Sequence, residues 1–149
     1  PTVLLNSFHS NFMSAYSAVY HLHNLMTRNS SIVFISSIVA SQVLPAPIGY
    51  TISKAALNAL AKKLSKEFSP DIRVNVISPG NVMFPGSTWD QKIKANPKAV
   101  SEYIEDNVPL KRFATPSEIA DTVSFLISSR SSFITGANIT IDGGQSLVI

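Results

Sequence analysis

Two short apolar segments separated by a helical pattern constrain the fold more than any other feature of the chain. Residues 31–35 read Ser-Ile-Val-Phe-Ile and residues 72–78 read Ile-Arg-Val-Asn-Val-Ile-Ser, so both are rich in β-branched side chains. Such runs predict strands, and four consecutive large apolar residues predict that the first strand is buried on both faces. Because a helical segment lies between them, the chain is predicted to be an α/β protein with a parallel sheet.

The rest of the chain continues this alternation of helices and strands. Thr115, Pro116 and Glu118 form a capping-box pattern with proline at the first helical position, which marks the start of the last helix. The predicted order is helix 6–28, strand 32–36, helix 48–67, strand 72–78, an irregular segment with short helices 79–110, helix 116–129 and strand 138–142.

Polar groups follow both predicted strands at their carboxyl ends. Ser37 follows the first strand, and Pro79 and Gly80 end the second, while Tyr50 and Lys54 lie four residues apart on the helix between them. Ligands of open α/β sheets bind outside the carboxyl ends of the strands. We therefore expect these residues to converge on one cleft.

Tyr50 and Lys54 suit proton chemistry because residues four apart project from the same face of a helix. An ammonium near a phenol favours the phenolate, so Tyr50 becomes a usable acid or base. A buried tyrosine beside a solvated lysine is the simpler interpretation of this spacing, and the pair taken alone does not exclude it.

Several separate motifs resemble those of the short-chain dehydrogenase/reductase family over nearly the whole chain. They are Tyr50-x-x-x-Lys54 thirteen residues after Ser37, Arg-Val-Asn-x-x-x-Pro-Gly at residues 73–80, Ile-Thr-Gly at 134–136 and Ile-Asp-Gly-Gly at 141–144. The resemblance implies the carboxyl-terminal part of a Rossmann-like, doubly wound parallel sheet. It also implies that residues 1–149 form a single domain, the catalytic and substrate half of an NAD(P)-binding domain.

The resemblance assigns roles to individual residues. Tyr50 is the implied general acid/base, Lys54 binds the nicotinamide ribose and stabilises the phenolate, and Ser37 hydrogen-bonds the substrate oxygen. An asparagine on the preceding helix supports a proton-relay water, and Asn11 matches it best. Asn6 is the alternative candidate for this role. A third interpretation is that the asparagine on this helix is buried and has no catalytic role.

The glycine-rich turn that holds the cofactor pyrophosphate in this family has no counterpart here. The six glycines lie in other contexts, and no residue after a second strand selects NAD or NADP. We therefore interpret the chain as the carboxyl-terminal part of a longer enzyme whose amino-terminal half is missing.

The segment after Gly80 is expected to close over cofactor and substrate, with Pro79, Gly80 and Val82 on the cofactor side. Phe84 occupies the place where the family usually has a threonine that contacts the nicotinamide carboxamide. Carboxamide binding then rests on the backbone near Val82, or on Ser87 or Thr88. The expected apolar lining of this segment is Met83, Phe84, Pro85 and Trp89, and the expected polar contacts are Ser87, Thr88 and Asp90. Packing under a lid explains the apolar character of Phe84 and Trp89 equally well.

Composition argues against other classes of protein. The net charge of +3 comes from scattered residues, and only Lys62, Lys63 and Lys66 cluster, on the solvated face of a helix, so nucleic-acid binding is not expected. His21 and His23 lie on opposite sides of a helix, and there is no cysteine, so no metal site is indicated. With no apolar run long enough to cross a bilayer, we expect no membrane association and a cytoplasmic location.

Only one charged side chain, Arg28, precedes Ser53, which leaves the first helix poorly suited to face water. In the family this helix and the one that carries Tyr50 form the usual subunit interface, which implies a homodimer or homotetramer. The predicted function is hydride transfer between NAD(P)H and a small carbonyl or alcohol substrate. The alternatives are an inactive fragment or paralogue that serves as an oligomerisation partner, and a family member with epimerase or dehydratase chemistry.

Overall fold

The computed structural model describes residues 2–148, which form a three-stranded parallel sheet in the order β1-β2-β3 with helices on both faces. The strands are β1 (Ser30–Ile35), β2 (Ile72–Pro79) and β3 (Asn138–Ile141). The helices are α1 (Thr2–Phe8), α2 (Ser14–Leu22), α3 (Ile48–Glu67), α4 (Thr88–Ala95), α5 (Pro97–Asn107) and α6 (Pro116–Ile127). The predicted α/β class and parallel sheet are confirmed.

The two faces of the sheet pack against different helices because side chains alternate along a strand. Phe34, Val74 and Val76 join Leu57 and Leu64 of α3 in a buried core, which α2 also contacts. The opposite face meets α6, where Ser31 and Arg73 donate hydrogen bonds to the carbonyl of Leu126 at 3.0 and 2.9 Å. Helix α3 is thereby fixed on the sheet, with Tyr50 and Lys54 in its first two turns.

The first helix differs from the predicted single span of residues 6–28. It begins at Thr2 as α1, passes through one π-helical turn at His9–Met13, continues as α2 to Leu22 and ends in a short 3₁₀ turn. The π-helical turn inserts an extra residue and shifts the helix face there. The sequence pattern carries no signal for that insertion.

Strand β1 is less buried than its apolar sequence predicts. Phe34 is 6% exposed, whereas the neighbouring Ile35 is 43% exposed. Within residues 2–148, β1 pairs only with β2, so its other edge and part of its surface lack cover. The expectation that this strand is buried on both faces is therefore wrong for Ile35 in this structure.

The other predicted elements lie close to their observed positions. Helix α3 occupies the predicted residues 48–67, and β2 extends one residue beyond the predicted end at 78. The capping box of α6 is present, with Thr115 and Glu118 bonded reciprocally. At the end of α6, Leu126 is fully buried and Ile127 is 56% exposed.

Candidate functional site

A cleft lies where the carboxyl ends of the three strands meet. Because the strands are parallel and Pro79 pairs with Ile141, the residues that follow all three strands gather at one edge of the sheet. The cleft has a volume of about 120 Å³. It is lined by Ser37, Ile38, Val39, Leu44, Pro45, Gly80, Asn81, Trp89, Lys92, Tyr103 and Gln145.

Ser37 contributes a buried hydroxyl to this cleft. Its backbone is extended, its side chain is 9% exposed, and its Oγ accepts a long hydrogen bond of 3.4 Å from the backbone N–H of Val39. A hydroxyl that accepts one weak bond retains its own proton for donation and one further lone pair. Ser37 is therefore equipped to bind a substrate oxygen.

Lys54 and Tyr50 lie side by side in the first turns of α3. The Nζ atom of Lys54 is 5.5 Å from the centre of the Tyr50 ring and donates a 2.8 Å hydrogen bond to the carbonyl of Ile35. Both side chains are half-buried. Burial lowers the pKa of Lys54, since removing an ammonium from water disfavours its charged form. An anionic oxygen nearby would compensate that cost.

Neither Tyr50 nor Lys54 is among the described residues that line the cleft, although Ser37 is. The pair lies beside the cleft, at the end of β1, because Lys54 is bonded to Ile35, two residues before Ser37. Helix α1 packs closely here: a side chain on Gly49 would meet the Cβ atom of Ser7 at 3.0 Å.

Gly80 lines the cleft and directly follows Pro79, the last residue of β2. Pro79 ends β2, and Gly80 donates a 2.9 Å hydrogen bond to the carbonyl of Ile141. A Cβ atom on Gly80 would lie 2.7 Å from the Cβ atom of Asp142, so only glycine fits without a shift of Asp142, which directly follows β3. The absence of that side chain lets the next residue, Asn81, enter the cleft.

Val82 follows the cleft residue Asn81 and presents its own backbone N–H and C=O. It pairs with Ala114 as an isolated parallel bridge, in which Met83 N–H and Asn81 C=O make the bonds to Ala114, at 2.8 and 3.0 Å. Among residues 2–148, neither the N–H nor the C=O of Val82 has a hydrogen-bond partner. An adjacent free donor and acceptor match the pairing needs of a primary amide.

Ser87 and Thr88, the alternatives to Val82 for binding the carboxamide, lie in different surroundings. The hydroxyl of Ser87 caps α4, where it accepts a 3.1 Å hydrogen bond from the N–H of Asp90, and the residue is 8% exposed. Thr88 is exposed, as is Phe84 at 47%. Of the predicted apolar lining, the cleft includes Trp89, which also packs on Tyr103 and Phe113 with ring centres 4.9 and 4.5 Å away.

Asn11 lies in the π-helical turn that packs against α3. Its amide donates hydrogen bonds to the carbonyl of Ser7 at 2.9 Å and to the Ser10 hydroxyl at 3.2 Å. Asn6 is exposed, and its carbonyl accepts from Ser10. π-Helical turns are common at functional sites, which favours Asn11 over Asn6.

Sequence reasoning missed several residues of the cleft, notably Asn81, Lys92, Tyr103 and Gln145. Lys92 follows Trp89 by three residues on α4, and this helical spacing was the one sequence signal that could have placed Lys92 beside Trp89. Nothing in the sequence relates Asn81 to Gln145, which lies 64 residues later.

A larger cavity, of about 380 Å³, opens at the amino ends of the strands beside Asn29, Asp71 and Arg73. Arg73 donates there to the carbonyls of Leu126 and Ser128 at the end of α6, at 2.9 and 3.2 Å. Its guanidinium thus satisfies free helix-terminal carbonyls, and we assign this cavity a structural role. No group of three or more His, Asp or Glu side chains within residues 2–148 is placed to hold a metal ion.

Helices on both faces of a parallel sheet, with a cleft at the carboxyl ends of the strands, are the architecture of doubly wound, Rossmann-like α/β folds. Residues 3–146 match the profile of the family described as Enoyl-(Acyl carrier protein) reductase. The chain belongs to this branch of the short-chain dehydrogenases/reductases.

Individual relatives agree with this family. Protein FixR of Bradyrhizobium diazoefficiens is 36% identical over 143 residues, or 94% of this chain and 48% of FixR. Oxidoreductase UcpA of Salmonella typhimurium is 37% identical over 124 residues, or 80% of this chain and 47% of UcpA. The chain thus spans about half the length of the curated relatives it matches.

A solved structure has the same fold. The NADPH-bound short chain oxidoreductase of Pseudomonas aeruginosa PAO1, which contains an atypical catalytic center, superimposes with a TM-score of 0.89 at 26% identity. The match covers 100% of this chain and 59% of that one.

No helix formed by residues 2–148 has the length and apolarity needed to cross a membrane.

Proposed function

We propose that the protein containing this chain is a nicotinamide-dependent oxidoreductase that interconverts a small carbonyl compound and its alcohol through Ser37, Tyr50 and Lys54. The observation that carries the proposal is the half-buried ammonium of Lys54, held 5.5 Å from the Tyr50 ring beside a cleft that Ser37 lines. Membership of the short-chain dehydrogenase/reductase family supports it.

The residues present suit one end of a nicotinamide cofactor. Lys54 and Tyr50 offer an ammonium and a phenol to ribose hydroxyls, and the unpaired N–H and C=O of Val82 match a carboxamide. Pro79 and Gly80 shape the turn that presents Val82. When bound, the cofactor supplies or accepts the hydride. NADPH in the Pseudomonas relative supports this class of cofactor without deciding between NADH and NADPH.

Ser37, Tyr50 and Lys54 have separate roles in binding the substrate and moving the proton. Ser37 donates a hydrogen bond to the substrate oxygen and holds it near the phenol. Tyr50 delivers its proton to that oxygen during reduction and takes it back during oxidation. Lys54 stabilises the resulting phenolate, and because burial lowers the pKa of its ammonium, a nearby anion would offset the cost of that burial. Asn11 is proposed to position a proton-relay water on the α1–α2 side.

The proposal also includes self-association through the faces of α1, α2 and α3. Leu5 of α1, Leu22 of α2 and Ile48 of α3 are 55%, 53% and 71% exposed, and exposed large apolar side chains favour a protein contact. A dimer or tetramer would cover them.

Isotope transfer tests the reaction directly. The full-length protein should move deuterium from C4-deuterated NADH or NADPH to the former carbonyl carbon of a ketone, as detected by mass spectrometry. A panel of short-chain oxo acids and their amides covers charged and neutral substrates. Absence of cofactor-dependent transfer with every member, in both directions, would contradict the proposal.

A further inference from the structure

We propose that the cleft contains an anion subsite formed by Lys92 and Tyr103, so that the substrates are carbonyl or hydroxyl compounds that carry a carboxylate. This inference deepens the proposed function and rests on it, because it concerns the same cleft.

The indole of Trp89 fixes the direction of a hydrogen-bond network in the cleft floor. Indole N–H is a donor only, so the Asn81 oxygen must face it, at 2.9 Å. The Asn81 amide nitrogen then donates to Gln145 Oε1 at 3.0 Å. This leaves the Gln145 nitrogen to donate to the Tyr103 hydroxyl oxygen at 2.9 Å.

The hydroxyl of Tyr103 is therefore an acceptor within the network. It accepts from Gln145 at 2.9 Å and from Asn81 at 3.4 Å, which occupies its lone pairs. Among residues 2–148, its own O–H donates to no acceptor. Because Tyr103 lines the cleft, that proton is available to a ligand oxygen. Gln145 is 8% exposed, so the network is held rigidly enough to keep this orientation.

Lys92 adds a positive charge to the same cleft. Its Nζ atom lies 4.3 Å from the centre of the Trp89 ring, a cation–π contact that holds the ammonium over the cleft wall. Other lysines of this region are paired: Lys94 with Asp90 at 2.8 Å and Lys98 with Glu102 at 3.8 Å. Within the described chain, Lys92 forms no such ion pair, and no carboxylate lines the cleft.

These features match the chemistry of a carboxylate. A carboxylate accepts hydrogen bonds and donates none, so it pairs with an outward phenol O–H and an ammonium. A neutral amide would present N–H groups that find no acceptor from these two residues. The apolar side chains of Leu44, Pro45 and Val39 lie along the cleft for the carbon chain of the substrate.

Calorimetry with a dead-end complex tests the subsite without turnover. The full-length protein, saturated with oxidised cofactor, is titrated with 2-oxo, 3-oxo and 4-oxo pentanoates and with the matching oxopentanamides. We expect at least one acid to bind about tenfold more tightly than its amide. Lys92→Met and Tyr103→Phe should each remove most of this preference, Lys92→Arg should retain part of it, and Lys98→Met should leave it unchanged.

Equal affinity for acids and amides, absence of binding by every acid, or an acid preference that survives Lys92→Met would overturn the proposal. Deuterium transfer to the same compounds separates this failure from that of the proposed function. Transfer to acids and amides at equal rates would contradict the anion subsite and leave the oxidoreductase in place. Preferential acid binding without any transfer would support the subsite and contradict the reaction.

Discussion

The ammonium of Lys54 donates a 2.8 Å hydrogen bond to the backbone carbonyl of Ile35. This bond joins the second turn of α3 to the carboxyl end of β1, two residues before Ser37. The position of the ammonium relative to the cleft is therefore set by the sheet rather than by a flexible side chain alone. Tyr50 lies one turn earlier on the same helix, so the same contact also positions Tyr50 relative to the cleft.

Replacing Lys54 by methionine should weaken cofactor binding and shift the midpoint of the pH–rate profile to higher pH, because the phenolate of Tyr50 loses its cation. Lys54→Arg should restore only part of the effect, since a planar guanidinium cannot occupy the same position as an ammonium. Lys63→Met, on the exposed face of α3, is the control. An unchanged profile and cofactor affinity in Lys54→Met would show that this lysine is only a structural contact.

Gly80→Ala should destabilise the protein by about 1–3 kcal/mol, as expected for overpacking a filled site. The added Cβ atom would lie 2.7 Å from Cβ and 2.9 Å from Cα of Asp142, so Asp142 must move. That movement displaces Asn81 and should also reduce turnover. Urea denaturation measures the loss in the free energy of unfolding. Gly86→Ala, where no atom lies within 4 Å of the added Cβ atom, measures the separate cost of a positive φ, and wild-type stability of Gly80→Ala would contradict the crowding argument.

Glu118→Gln should lower the melting temperature at neutral pH but not in strong acid. Hydrogen bonds from Arg112, then from the N–H of Thr115, lower the pKa of Glu118 from 4.5 to about 2. The folded state thus releases the proton more readily than the unfolded state. Its stabilisation is complete above pH 4.5 and disappears as the pH falls towards 2.

Melting curves of wild type and Glu118→Gln should accordingly converge between these two pH values. Glu102→Gln is the control, because its partner Lys98 is 3.8 Å away and exposed, so little change is expected. A constant difference between wild type and Glu118→Gln down to pH 2 would contradict the assignment.

The sequence was sufficient to predict elements whose signals are local. Helix α3 has its start after Pro47 and a regular apolar stripe, and the capping box of α6 needs only four residues. Ser37, Gly80 and the strand ends follow from the general geometry of parallel sheets. The Tyr50 and Lys54 spacing predicted their shared face, which the 5.5 Å contact confirms.

Features that depend on contacts distant in sequence were not predictable. The network from Trp89 through Asn81 to Gln145 joins three segments, and no local pattern encodes it. The exposure of Ile35 depends on which strands surround β1, whereas its apolar sequence reports only a preference for burial.

Turnover by Tyr50→Phe tests the central claim most directly. Phenylalanine keeps the ring and removes only the proton donor, so hydride transfer by the full-length protein should fall by about 100-fold or more while cofactor affinity stays within a few-fold of wild type. Tyr20→Phe, at an exposed tyrosine of α2, should keep full activity. Stopped-flow rates and cofactor titration are measured on the same preparations. Wild-type turnover in Tyr50→Phe would contradict the assignment of Tyr50 as the acid and base of this site.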